Sequence, residues 1–188
     1  MTAAARPLWR PELLDALRLL AHISEALVAR GAPRPILVGG AAAEYYSGSA
    51  LMTGDVDLTS PVQGELEAEM QRHGFVKPSG SGRMTRGWVH PELGLGFEIV
   101  ATSPFAGSPS QARVILVGDL APGSAFAIVS VEDLIADRMG QYGSGTADEM
   151  LGQARELFRL HPGLDRAYLE RRIREESSGD HGVEDLES

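Results

Sequence analysis

Asp55 and Asp57 have the side chains and the spacing to do chemistry together. They flank Val56 in the run Asp55-Val56-Asp57-Leu58-Thr59, which predicts a short strand. Side chains alternate faces along a strand, so both carboxylates point one way and Val56 and Leu58 the other. Two carboxylates about 6–7 Å apart on one strand face do not serve core packing. They suit divalent cations of the kind used in phosphoryl and nucleotidyl transfer. Taken alone, Asp-x-Asp has a simpler reading, with Asp55 capping a turn and Asp57 facing water.

Upstream, Ile36-Leu37-Val38 is a fully apolar run that breaks at Gly39-Gly40. Residues 41 to 54 separate this pair from Asp55, and Ala41 to Tyr46 predicts a small-residue helix ended near Gly48. Glycines let a backbone approach a phosphate chain closely, and a helix N-terminus offers free N–H groups. Gly-Gly after a strand is common turn punctuation, so the signal lies in the order strand, Gly-Gly, helix, Asp-x-Asp strand. Glu98 adds a third element. It sits in Phe97-Glu98-Ile99-Val100, where a lone acid carries a desolvation cost unless it is paired or metal-bound. If its strand neighbours that of Asp55 and Asp57, three carboxylates converge and can hold two cations about 3.5–4 Å apart. The alternative is an ion pair between Glu98 and Arg86 across a hairpin.

These residues need a scaffold, and 188 residues suffice for one α/β domain with a helical appendage. Pro11 opens a helix marked by Leu13, Leu17, Leu20, Ile23 and Leu27, which Gly31 stops. Further helices are predicted over 62–73, from the Ser130 capping serine to about Tyr142, from a capping box at Thr146 to about His161, and from the Asp165 cap to about Glu176. Strands are predicted at Phe75-Val76, Arg83 to Val89, Gly94 to Ala101, Arg113 to Val117 and Ala125 to Val129. The expected plan is an α/β (α+β) fold: a core over 1–129 with a mixed β-sheet flanked by helices, a helical C-terminal subdomain over 130–176, and an acidic disordered tail over 177–188.

Composition narrows the partners. The apolar fraction is 43% and the net charge −9, of which six acids between Glu175 and Ser188 account for −6. There is no broad basic footprint for nucleic acid, although Arg83, Arg86 and Arg113 fall in one stretch. No apolar run approaches a membrane span, Met1 to Pro7 does not read as a secretory leader, and cysteine is absent, so a cytoplasmic location is expected. The five histidines show no ligand spacing, and neither a Gly-Lys-Ser/Thr phosphate loop nor a Gly-x-Ser-x-Gly elbow is present.

Leu37-Val38-Gly39-Gly40-Ala41-Ala42, Thr53-Gly54-Asp55-Val56-Asp57-Leu58 and Phe97-Glu98-Ile99-Val100 resemble the polymerase-β-type nucleotidyltransferases. The nearest likeness is to small bacterial members, including toxin–antitoxin and abortive-infection nucleotidyltransferases. Val131-Glu132-Asp133-Leu134-Ile135-Ala136-Asp137-Arg138 is similar to the helix that follows their core, so the resemblance covers residues 10–176. It implies transfer of a nucleoside monophosphate from an NTP to a protein, RNA-end or small-molecule acceptor. It also implies Mg²⁺ or Mn²⁺ on Asp55, Asp57 and Glu98, and nucleotide binding by Gly39, Gly40, Thr53, Arg86 and Arg138. A cognate protein partner in a two-gene system is a further expectation. Two departures stand out. Many relatives carry arginine where this chain has Leu51, and Arg138 occupies a position that is often lysine. Neutralising the leaving pyrophosphate then falls to Arg83, Arg86 or Arg138. Leu51 also favours the alternative, a catalytically degenerate domain that binds nucleotide or a protein partner.

Overall fold

The computed structural model describes residues 8–78, 87–105 and 111–187. Its centre is a five-stranded mixed sheet in the order β3-β2-β1-β5-β4. The strands are β1 (Ile36–Val38), β2 (Asp55–Thr59), β3 (Gly96–Ala101), β4 (Val114–Ala121) and β5 (Ser124–Val129). β1 runs antiparallel to β2 and parallel to β5; β2 and β3 are parallel; β4 and β5 form an antiparallel hairpin. The predicted α/β class with a mixed sheet, flanking helices and a helical C-terminal region is therefore the observed one.

The apolar periodicity that predicted the first helix is the face it buries. In α1 (Pro11–Val28) Leu13, Leu17, Leu20 and Ile23 are fully buried, and the helix packs on β4, β5 and α3 (Gln63–Arg72). α2 (Gly39–Ser47) follows β1 without a loop and ends at Gly48 in the left-handed conformation, φ 60°. α4 (Val131–Gly143) starts at the expected cap, where the Ser130 hydroxyl accepts from Asp133 N–H at 3.1 Å. α6 (Arg166–Glu176) starts at Asp165, which caps Tyr168 N–H. α5 (Glu149–Leu160) begins later than the capping box at Thr146 predicted, with Asp148 before it and no side-chain cap. The Thr146 hydroxyl is instead engaged with that of Ser144, 2.8 Å away.

Two strand expectations are met only in part. Val76 and Val89 form one isolated antiparallel bridge and Trp88 and Phe97 another, in place of full strands. Residues 83–86 of the expected Arg83 to Val89 run lie outside the described residues.

The acidic tail is a correction. Its charge predicted a solvated end, but Val183–Leu186 forms a 3₁₀ turn, and Val183 and Leu186 join the hydrophobic core. Arg155 donates twice to the Asp185 carbonyl, and Arg174 pairs with Glu184. Charge counting missed two apolar anchors spaced one helical turn apart. Among the described residues no helix is long and apolar enough to cross a membrane.

A buried polar knot joins the helices behind the sheet. Arg172 and Asp133 are both fully buried and meet at 2.6 Å. Glu175 and Glu176 take the remaining guanidinium nitrogens, at 2.7 and 2.8 Å. Asp133 also accepts from the Tyr168 hydroxyl, the Ser130 hydroxyl and Arg113 N–H. Burial and the Asp133 bond push the Tyr168 phenol up to about 12. Removing one partner strands a buried charge, at a cost of about 3–5 kcal/mol. Asp133→Ala should lose that much stability in urea unfolding, and Tyr168→Phe only about 1 kcal/mol. Equal, small losses in both would show that the knot does not hold α6 to α4.

Candidate active site

Register makes the site. On β2, Val56 and Leu58 are fully buried beneath the sheet while Asp55 is exposed and Asp57 half-buried on the other face. In the parallel ladder with β3, Asp57 stands opposite Glu98 and Val56 opposite Phe97. The three carboxylates thus share one face, with one oxygen of each within 4.8 Å of the others. No ion pair of Glu98 occurs among the described residues. The alternative partner, Arg86, lies outside them, as does Arg83.

The two glycines at the start of α2 lie against the acidic cluster and Thr53. Gly39 has φ 63°, a conformation that L-residues with a side chain rarely adopt. A Cβ on it would overlap the Asp57 carboxyl, and one on Gly40 would overlap the Thr53 hydroxyl. Gly40 N–H points at Asp57 Oδ2 across a long 3.5 Å, and the Thr53 hydroxyl donates to Asp55 Oδ1 at 3.2 Å. Both carboxylates are therefore held from the α2 side.

Asp55 and Asp57 open into a cavity of about 880 Å³. Its walls include Gly39, Gly40 and Thr53 on one side, Val100 to Phe105 on another, and Asp137, Arg138, Gln141 and Gln153 from α4 and α5. Arg138 is almost fully buried; its Nε donates to Gln153 Oε1 at 3.1 Å and Nη1 to Asp137 Oδ2 at 3.0 Å. That uses two of the five guanidinium N–H groups. Leu51 is on the wall and supplies no charge. Tyr45 and Tyr46 belong to packing: Tyr45 stacks on Trp9 at 5.1 Å, and the Tyr46 hydroxyl bonds the Val129 carbonyl.

Burial first and the neighbouring Asp55 charge second push the Asp57 carboxyl up to about 6; the Gly40 N–H opposes them more than Glu98 adds, and Arg138 opposes them least. A crowded set of hard oxygen donors with too little positive charge is what a hard divalent cation fits. The cluster is thus able to coordinate a divalent metal.

Among solved structures the chain is similar to an antigenic nucleotidyltransferase-like protein from Paracoccidioides brasiliensis. The TM-score is 0.59 at 16% identity, over 89% of this chain and 88% of that one. It is also similar to the solution structure of the antibiotic-resistance factor ANT(2'')-Ia, with a TM-score of 0.54 at 19% identity over 85% and 89%. The chain therefore has a nucleotidyltransferase-like fold. Neither a protein-family model nor a curated protein matches the chain.

Sequence reasoning missed the residues that brace the site. Glu44 is fully buried on α2 and pairs with Arg10, 34 positions earlier. A lone acid in Ala41 to Tyr46 carried the same signal as Glu98, an acid in an apolar element. Nothing local pointed to Arg10. Asp137, Gln141 and Gln153 were also missed, since helical amides and acids read as ordinary solvent-facing residues.

Asp57 dictates a pH effect. Its folded value lies above the ordinary 3.8, so the folded state binds the proton more tightly. This contribution is complete below about pH 4 and is lost as pH rises through about 6. In EDTA, Asp57→Asn should therefore melt above the wild type at pH 7.5, and the gap should close by pH 4. A variant that melts below the wild type at pH 7.5 would contradict the crowding.

Proposed function

We propose that the chain is a metal-dependent nucleotidyltransferase that moves a nucleoside monophosphate from an NTP to an acceptor, releasing pyrophosphate. The observation that supports it most is the register of Asp57 opposite Glu98, which sets three carboxylates on one sheet face beside two glycines that no side chain can replace without a clash. The acceptor is a hydroxyl or comparable nucleophile on a protein, an RNA end or a small molecule.

In this reading the acceptor oxygen forms the new bond to the α-phosphorus while the bond to the bridging oxygen breaks. The displaced pyrophosphate carries away the electron pair. Gly39 and Gly40, at the start of α2, seat the triphosphate with backbone N–H groups. Asp55, Asp57 and Glu98 hold Mg²⁺ or Mn²⁺, which when bound neutralises phosphate charge and acidifies the acceptor. Thr53 steadies Asp55 and borders the nucleotide. Arg138, whose remaining N–H groups have no partner among the described residues, would neutralise the leaving phosphates from the α4 side, with Arg86 assigned to the same task. Glu98 lies at the β3 side and takes part in activating the acceptor. A role as the toxin-type component of a two-gene system, with a cognate partner protein, fits the same chemistry.

A second reading is a non-catalytic nucleotide-binding or protein-interaction module. Leu51 favours it, because the cavity wall lacks the usual arginine there. Three converging carboxylates favour the enzyme, since an inert copy has no use for their mutual repulsion.

Thermal melting with ATP, GTP, CTP and UTP, with and without Mg²⁺, separates the readings. A nucleotide at 100 times its dissociation constant adds about 2.7 kcal/mol, or roughly 5–10 °C at this size. A Mg²⁺-dependent shift is expected in the wild type and none in Asp55→Ala. In an assay with product, Asp57→Ala should abolish transfer while the fold persists. Undiminished transfer in that variant would remove the triad from the mechanism.

A further inference from the structure

Arg10 precedes α1, far from the carboxylates in sequence, and it is not on the cavity wall. Its guanidinium nevertheless ends at the loop that delivers Asp55. Nε and Nη2 grip the two Glu44 carboxylate oxygens at 2.5 and 2.9 Å, and Nη2 also donates to the Thr53 carbonyl at 2.5 Å. Glu44 Oε2 in turn accepts from Thr53 N–H at 2.9 Å, and Oε1 from the Ser49 hydroxyl at 3.0 Å. Both backbone polar groups of Thr53 are thus held by one ion pair, and its hydroxyl is bonded to Asp55 Oδ1.

Burial alone would raise the Glu44 carboxyl, yet the bonds from Arg10, Thr53 and Ser49 hold it below its ordinary value, so it stays charged. Attachment of the N-terminal segment to α2 does not require this pair. Trp9 already provides it, stacked on Tyr45 and donating from its indole N–H to the Tyr45 carbonyl at 2.7 Å. A buried, ionised acid is costly unless it is paired and hydrogen-bonded. Here its oxygens are spent on the backbone two residues before the first carboxylate.

We propose that Arg10 and Glu44 are positioning residues of the carboxylate site: they clamp Thr53, and through the Thr53 hydroxyl they fix Asp55 as a cation ligand. The inference rests on the metal-dependent reading above. Partners of this kind, one bond removed from a metal ligand, commonly change metal affinity 10–100-fold when removed.

The test is Mn²⁺ binding to the full chain, read by electron paramagnetic resonance of the free ion, in wild type, Arg10→Lys, Thr53→Val and Trp9→Phe. Arg10→Lys keeps the charge and loses the double grip; Thr53→Val keeps the clamp and loses the link to Asp55. The Mn²⁺ dissociation constant should rise about 10-fold or more in both. In Trp9→Phe the melting temperature should fall with Mn²⁺ affinity unchanged. Wild-type affinity in Arg10→Lys and Thr53→Val, with the wild type binding Mn²⁺, would overturn the positioning role and leave the metal site standing. Were Arg10→Lys to fail to fold, Thr53→Val alone would decide between these outcomes. No Mn²⁺ binding by the wild type would overturn the metal-dependent reading itself, and the positioning role with it.

Discussion

Mutual repulsion among Asp55, Asp57 and Glu98 is the constraint that the surrounding structure answers. Pairing β2 with β3 in parallel, with Asp57 opposite Glu98, brings like charges together on a face that α4 and α5 then partly cover. Each neighbour limits the cost in a different way. Gly39 and Gly40 leave room for the carboxyl and the Thr53 hydroxyl, and Arg138 contributes a positive charge from the opposite wall. Burial, and after it the Asp55 charge, keep the Asp57 carboxyl raised, a cost that a bound cation would relieve.

The helical region exists to hold that wall in place. α4 contributes Asp137, Arg138 and Gln141 to the cavity, and α5 contributes Gln153, so their placement relative to the sheet decides what the cavity can bind. The Asp133–Arg172 knot fixes α6 to α4, and the 3₁₀ turn at Val183–Leu186 closes over α5 and α6 through Arg155 and Arg174. Sheet and helices share one hydrophobic core, which includes Leu37 and Val56 together with Leu157, Ile173 and Leu186.

Features written in local sequence were legible before the structure. Alternation placed Asp55 and Asp57 on one face, heptad-like spacing drew α1, and caps marked α4 and α6. Features set by contact between distant segments were not. That Glu98 faces Asp57 depends on which strand neighbours β2, and sequence could state it only as a condition. The Arg10–Glu44 pair and the Asp133–Arg172 pair each join residues more than 30 positions apart, beyond any periodic signal. Asp133 was read as part of the helix that Ser130 opens, and its carboxylate also serves Arg172. The tail misled because six acids outweighed Val183 and Leu186 in a count, whereas burial of two apolar side chains and a pair of arginine contacts decides its position.

The most direct measurement is a crystal structure with Mn²⁺ and a non-hydrolysable NTP analogue, with anomalous scattering used to locate the metal. The account predicts an anomalous peak within coordination distance of Asp55, Asp57 and Glu98, with the triphosphate against Gly39 and Gly40. A bound analogue with no peak among the three carboxylates, or a peak elsewhere, would contradict it.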